Sequence, residues 1–266
     1  MDSHATETVT AQEPRFNWRE FWVLFAAGMF GVVAVLPYIV HSFFSTRILP
    51  LPLWVVLCAQ SAQAAVLIAA AVAIGIALGK RCGLRAPILE AWLGGEPVRR
   101  RLPGILALSV PAGVIASAII IVAEKYFFQP RLPQLARAAL HGVSAPAWQA
   151  FLASFYGGIT EELLLRFGVL TLLAWLFGKL VRTVPGRTTS VVFWSANLLA
   201  AVLFGAGHLP ATAALLPLTP LVVFRAILLN GLAGVVFGYL YWKRGLESAM
   251  IAHFSADLVL HVLMPG

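Results

Sequence analysis

Two adjacent glutamates and an arginine lie within an otherwise apolar stretch, GGITEELLLRFGVL, at positions 157–170. Glu162 and Arg166 are four residues apart, so a helix places them on one face with the acid first, which predicts an ion pair. Glu161 is rotated by about 100° from Glu162 on a helix and has no such partner. An unpaired carboxylate in an apolar setting can act as a general base. Alternatively, all three residues could form a structural packing network.

A histidine ends a second apolar segment, LFGAGHLP. Gly205 and Gly207 in this segment would let another backbone come close, and His208 follows at the end of the apolar run. A histidine at this position could be catalytic or could be an ordinary interfacial residue.

A third apolar segment, MIAHFSADLVLH, contains His253 and Asp257 four residues apart on one helix face. A carboxylate at this spacing can accept the second N–H of the imidazole and set its tautomer. His261 is expected to be interfacial and outside the site. Three segments thus bring acid or imidazole into an apolar environment, where ionisable groups are costly and indicate functional sites. They predict a wet cavity suited to water activation or proton relay.

The composition indicates that lipid surrounds these segments. Of the 266 residues, 60% are hydrophobic and only 11% are charged, against roughly a quarter charged in soluble domains. The net charge of +8 could suggest nucleic acid, but in a membrane protein it is more typical of cytoplasmic loops, so no nucleic-acid partner is expected. Cys58 and Cys82 are too few and too different in setting for a disulfide framework.

The hydropathy pattern predicts an all-α, polytopic transmembrane bundle of seven to eight helices. A helix needs about 20 apolar residues to cross the membrane core, and the candidate segments are 21–40, 53–78, 103–123, 150–177, 190–207, 221–242 and 247–263. An eighth helix would arise if the long fourth segment is divided. Residues 1–20 are expected to be a disordered cytoplasmic tail, and residues 21–266 a single transmembrane domain with its catalytic core in about 148–263. A short interfacial helix is expected around 132–140.

The distribution of basic residues predicts the orientation, because cytoplasmic loops are enriched in Lys and Arg. With the N-terminus in the cytoplasm, thirteen basic residues fall on the cytoplasmic side. These are Arg15, Arg19, Lys80, Arg81, Arg85, Arg99, Arg100, Arg101, Lys179, Arg182, Arg187, Lys243 and Arg244. Four fall on the other side, namely Arg47, Lys125, Arg131 and Arg137. The expected location is the plasma membrane of a prokaryote.

The three motifs together resemble those of the CPBP family of membrane proteases, which includes the type II CAAX prenyl endopeptidases and the Abi-type bacteriocin-processing and immunity proteins. The segment EELLLR (Glu161–Arg166) resembles the EExxxR motif of that family. FGAGH (Phe204–His208) is similar to its FxxxH motif, and HFSAD (His253–Asp257) to its HxxxN or HxxxD motif. The resemblance covers about residues 148–263.

The resemblance implies an intramembrane endopeptidase that cuts peptide bonds near the membrane surface. It also implies about eight helices around a water-filled cavity that opens to the cytoplasmic leaflet. Glu161 would be the general base on the attacking water, with His208 beside it. His253 and Asp257 would bind the scissile carbonyl and stabilise its oxyanion.

Glu162 and Arg166 would be the supporting pair of this site. The prenyl endopeptidase branch usually has Asn where this chain has Asp257, and an ionised carboxylate only accepts hydrogen bonds. Asp257 could therefore serve the oxyanion only when protonated, or indirectly by orienting His253. This departure weakens the case for CAAX substrates. The expected substrate is a peptide or protein, with lipidated and membrane-embedded chains both open.

Metal use and two other functions remain as alternatives. The chain has no HExxH motif, but Glu161, His208 and His253 could hold zinc with water in the fourth position. A metal-free site is favoured because the doubled glutamate supplies a base without a metal. The same groups could form the relay of an ion- or proton-coupled transporter, although no inverted repeat is visible. A catalytically silent immunity or scaffold protein on the same fold is the other alternative.

Overall fold

A computed structural model describes residues 16–44, 50–134, 136, 145–181, 184 and 186–264. Over these residues the structure is helical and has no strand. Seven helices are long and apolar enough to cross a membrane, and one short helix lies between the second and third of them. They are α1 (Trp18–Phe44), α2 (Leu53–Cys82), the short α3 (Pro87–Leu93), α4 (Leu102–Arg131), α5 (Ala147–Leu180), α6 (Ser190–Ala213), α7 (Pro220–Arg244) and α8 (Leu246–Leu263).

These helices confirm the predicted all-α transmembrane bundle. The long fourth segment is one helix, so the part of the chain described here has seven spans and not eight. The first helix begins earlier than predicted, because the Asn17 side chain caps it by accepting a hydrogen bond from the Glu20 backbone N–H at 3.2 Å. Glu20, expected in the tail, is buried in the first turn. The rest of the tail, residues 1–15, and most of the predicted interfacial helix around 132–140 lie outside the described residues.

Apolar side chains cover the outside of the bundle as well as its core. The core joins Leu163 and Phe167 of α5 to Ile68 and Val72 of α2, all of them almost completely buried. Large apolar side chains also remain exposed along the helices, and they include Val33, Trp54, Val66, Ile115 and Val191. Soluble monomers rarely expose apolar patches of this extent, and this surface therefore fits an integral, multi-pass membrane protein.

The middle of α5 is wider than an α-helix, with π-helical stretches at Tyr156–Glu161 and Leu163–Leu170. Such wide turns often mark functional sites. Gly157 and Gly158 in the first stretch let α8 approach closely. A Cβ on Gly158 would lie 2.8 Å from the Cβ of Phe254, and one on Gly157 would collide with the Asp257 carboxylate. The two glycines thus bring two motif-bearing helices together.

The α6 and α7 helices also pack closely where a glycine was predicted to allow it. A Cβ on Gly205 would lie 2.6 Å from the Cα of Ile227, whereas one on Gly207 would meet no atom within 4 Å. The sequence prediction of a close backbone approach is therefore correct for Gly205 and wrong for Gly207, which faces open space.

The bundle has two distinct ends. The basic end comprises the described parts of residues 80–102, 179–190 and 243–247, together with the start of α1. Its loops contact one another, since the backbone N–H of Gly186 donates to Arg81 O at 2.7 Å and that of Leu246 donates to Arg85 O at 3.0 Å. The opposite end comprises the described parts of residues 39–53, 124–147, 208–220 and 258–264.

Candidate active site

Glu162 is the centre of a buried polar network. Its Oε1 accepts a hydrogen bond from His253 Nδ1 at 2.7 Å and lies 3.1 Å from Nη1 of Arg166. Nη2 of Arg166 donates to the Gly234 carbonyl at 3.2 Å, and its guanidinium lies over the ring of Phe204. The predicted ion pair between Glu162 and Arg166 is therefore present, and it joins α5 to α7 and α8.

Glu161 lies outside this network and faces a cavity. Its Oε2 is 3.7 Å from Nε2 of His253, and its Oε1 is 4.0 Å from Nε2 of His208. Both separations are too long for direct hydrogen bonds. The Glu161 side chain is 18% exposed, whereas that of Glu162 is fully buried. The two adjacent glutamates thus occupy different environments, as the sequence predicted.

The hydrogen bonds of the two histidines leave Nε2 of each ring directed at Glu161. His208 Nδ1 lies 2.9 Å from the Phe204 carbonyl, which can only accept, so Nδ1 carries the proton. His253 Nδ1 in the same way donates to Glu162. The Phe237 ring stacks on His253 with centroids 4.6 Å apart and planes inclined by 23°. Phe237 carried no signal in the sequence, because its role depends only on how α7 packs against α8.

Asp257 does not set the tautomer of His253, although the spacing suggested this role. The i, i+4 spacing suggested that its carboxylate accepts the second N–H of His253, but Glu162 occupies Nδ1 of that ring. Asp257 Oδ1 lies 3.6 Å from Nε2, the nitrogen that also faces Glu161. The spacing correctly predicted a shared face. The role predicted for Asp257 was wrong because Glu162, from another helix, orients the ring.

A cavity of about 760 Å³ contains the predicted site. The motif side chains that line it are Glu161, His208, His253 and Asp257. Other polar side chains that line it are Tyr38, Glu124, Lys125, Gln129, Tyr156, Thr212, Arg225, Asn230 and His261. His261 is exposed, as expected for an interfacial residue, yet it also borders the cavity. The three motifs therefore meet around one cavity, whose dimensions could not be predicted from the sequence.

An ion pair at the cavity carried no signal in the sequence. Nε of Arg225 in α7 donates to Oε2 of Glu124 in α4 at 2.7 Å, and both side chains are partly buried. The two residues are 101 positions apart. No local spacing can pair residues so distant in sequence.

Among the described residues, no group of three or more His, Cys, Asp or Glu side chains is arranged to hold a metal ion. The facing atoms of Glu161 and the two histidines are 3.7 and 4.0 Å apart. Ligand atoms of a tetrahedral zinc ion are about 3.4 Å apart, given bonds of about 2.0–2.1 Å. In this arrangement, the facing atoms of Glu161, His208 and His253 are therefore farther apart than the ligand atoms of one zinc ion.

The chain matches the family described as type II CAAX prenyl endopeptidase Rce1-like over residues 143–259. This stretch includes all three motifs and every motif residue that lines the cavity. No curated protein and no solved structure matches the chain. The resemblance of this membrane protein to the CPBP family is therefore confirmed over residues 143–259 by the match to the type II CAAX prenyl endopeptidase model.

Proposed function

We propose that this protein hydrolyses peptide bonds inside the membrane with a water molecule that Glu161 activates. The observation that carries the proposal is the position of the Glu161 carboxylate. It faces Nε2 of His208 and of His253 in an accessible cavity, and it stays outside the buried Glu162 network. The family match supports a protease at the level of the family, and the roles of the residues are inferred from this geometry.

The distances around Glu161 suit one bridging water molecule. Separations of 3.7 and 4.0 Å between polar atoms are those expected when water lies about 2.8 Å from each. His208 holds its proton on Nδ1, so its Nε2 can accept a hydrogen bond from this water. The Glu161 carboxylate can accept a second hydrogen bond from the same water. The water oxygen then has a lone pair available for attack on a carbonyl carbon.

Hydrolysis then follows with balanced proton transfers. Glu161 takes a proton from water as the oxygen adds to the scissile carbonyl carbon, which becomes a tetrahedral oxyanion. The C–N bond breaks, and Glu161 returns its proton to the departing nitrogen. The products are a carboxylic acid and an amine, and Glu161 is again ionised for the next cycle.

His253 is the candidate to stabilise the oxyanion. Its Nδ1–H already donates to Glu162, so Nε2 can donate to the oxyanion only when the ring is an imidazolium. Carboxylates of Glu161, Glu162 and Asp257 all lie within 3.7 Å of a ring nitrogen, and they favour a positive charge on the ring electrostatically. Asp257 thus acts through His253. This role needs a carboxylate, which is consistent with Asp257 at the position where the prenyl endopeptidases usually have Asn.

The test is cleavage of a peptide library by the purified protein in detergent, with Glu161→Ala as the matched variant. We expect cleavage by the wild type and none by the variant at equal folded yield. Cleavage by both proteins would reject Glu161 as the base. No cleavage by either, together with Glu161-dependent ion flux in liposomes, would favour the transporter alternative. Absence of both activities would favour a silent scaffold.

A further inference from the structure

The cavity occupies the half of the bundle next to the opposite end. In α5, Glu161 is fourteen residues from Ala147 and nineteen from Leu180. His208 is five residues from the end of α6 at Ala213. At about 1.5 Å per residue, these offsets place the catalytic groups roughly 8–20 Å from the opposite end of the bundle. The remaining lining residues of α1, α4 and α6 also lie in this half of their helices.

The floor of the cavity separates it from the basic end. Phe237 and His253 are the lining residues closest to that end in α7 and α8, and their rings stack on each other. Below them, Glu162 and Arg166 are buried, and Tyr241 donates to or accepts from Thr171 at 2.9 Å in the packed core. A substrate therefore reaches Glu161 from the opposite end of the bundle.

The charge distribution indicates which side of the membrane this is. Among the residues that the structure describes, eleven Lys and Arg lie at the basic end, whereas Lys125 and Arg131 lie at the opposite end. This bias places the basic end in the cytoplasm. A cavity that opens to the cytoplasmic leaflet, as the family resemblance implied, would require the loops that carry these basic residues to be translocated. Once the position of the cavity is known, the expected cytoplasmic location of the basic loops and the expected cytoplasmic opening of the cavity exclude each other.

We propose that the cavity opens to the non-cytoplasmic side, and that the substrate is a polypeptide segment exposed there. This inference rests on the proposed function for the cleavage step, but the side of access stands on the geometry and charge alone. An extended peptide advances about 3.3–3.6 Å per residue, so roughly three to six residues span the 8–20 Å from the rim to the catalytic groups. Exported chains and the outer flanks of membrane proteins therefore form the substrate class. Cytoplasmic tails do not reach the site.

Two cysteine variants at the two ends of α6 test the side of access. Ser190 begins this helix at the basic end, and Ala211 lies near its other end and lines the cavity; both are exposed. In a background in which Cys58 and Cys82 are replaced by Ala, a membrane-impermeant maleimide should label Ala211→Cys in intact cells. Ser190→Cys should be labelled only after permeabilisation. The reverse pattern would overturn the proposal.

A second measurement avoids all substitutions, in case the cysteine-free background does not fold. The last helix ends at the opposite end of the bundle, so a tag added after Gly266 should lie on the same side as the cavity. Protease added to intact cells should remove this tag from otherwise unaltered protein. Protection of the tag until the cells are permeabilised would overturn the proposed side of access.

Paired reporter substrates then separate the side of access from the chemistry. One library segment is fused to the non-cytoplasmic flank of a membrane anchor, and the same segment is fused to the cytoplasmic flank of a second anchor. Cleavage of the first reporter only, abolished by Glu161→Gln, supports the proposal. Cleavage of the cytoplasmic reporter overturns the substrate class. If neither is cut although Ala211→Cys is labelled from outside, the proposed function fails while the side of access stands.

Discussion

At the residue scale, two adjacent glutamates have different surroundings, and we expect them to have separate tasks. Glu162 is enclosed by Arg166 and His253, while Glu161 faces water-accessible space. A buried carboxylate with two partners holds side chains in place, whereas one beside a cavity is free to exchange a proton. This difference makes the two positions a matched pair for mutation.

We expect Glu161→Gln to lower peptidase activity by at least ~100-fold, the low end for loss of a general base, with unchanged folded yield. Glutamine has nearly the same shape but cannot accept the proton of water. The measurement is turnover of a cleaved library peptide by monodisperse protein. Turnover like that of the wild type would show that another group is the base.

Glu162→Gln should instead reduce the amount of folded protein. The substitution leaves the Arg166 guanidinium buried without its counter-ion, and breaking such a pair costs about 3–5 kcal/mol. Arg166→Ala should have the same effect by leaving the carboxylate unpaired. Yield after size-exclusion chromatography measures the outcome. Normal yield with lost activity in both variants would mean that this pair takes part in the chemistry.

We expect the activity to be independent of bound metal, because Glu161 supplies the base in the proposed mechanism and its separations from the histidines are wider than a zinc site requires. Chelators should leave turnover intact, and elemental analysis should find far less than one equivalent of zinc. Stoichiometric zinc that disappears in His208→Ala and His253→Ala would contradict this expectation. The peptidase reaction would then use a metal-bound water.

At the element scale, the close contact of α5 with α8 determines whether the motifs converge. The Gly157–Gly158 pair permits this contact, and the π-helical stretches on either side of Glu162 widen the helix at the same level. The EExxxR pattern alone predicts an ion pair on one face. It does not predict which neighbouring helix this face meets.

Gly157→Ala should lower turnover by roughly 10–100-fold, because small displacements of reacting groups have effects of this size. The new Cβ would collide with the Asp257 carboxylate and lie 3.1 Å from His253 Nε2. The fold should survive, since the carboxylate is the end of a side chain that can rotate away. Gly207→Ala is the control, because its Cβ would meet no atom within 4 Å. Equal activity in both variants would show that this contact does not position the site.

At the scale of the whole molecule, the cavity joins helices that are distant in sequence. The Glu124–Arg225 pair connects α4, which lies outside the matched family region, to α7 within it. The first half of the chain therefore contributes to the rim of the site as well as to the membrane anchor.

Exchanging the charges of Glu124 and Arg225 tests whether this pair connects α4 to α7. Glu124→Arg or Arg225→Glu alone should lower the free energy of unfolding by about 1–3 kcal/mol, as expected when a charged hydrogen bond is lost. The double variant should recover most of this loss, because it restores the pair in reverse. Thermal unfolding in detergent measures all four proteins. Additive losses in the double variant would show that the two residues do not interact.

The sequence alone determined the membrane class, the approximate spans and the residues of the three motifs. These properties follow from local composition and from spacing along one helix, and both are visible without tertiary structure. The Glu162–Arg166 pair was predictable for the same reason.

Only the tertiary structure decided which nitrogen of His253 each carboxylate faces, that Phe237 stacks on that ring, and that Glu124 meets Arg225. It also decided that most of the residues that line the cavity lie in the half of the bundle away from the basic end. Each of these depends on how separate helices pack against one another. Spacing along a single helix specifies which side chains share a face, but the rotation and depth of each helix in the bundle specify what that face contacts.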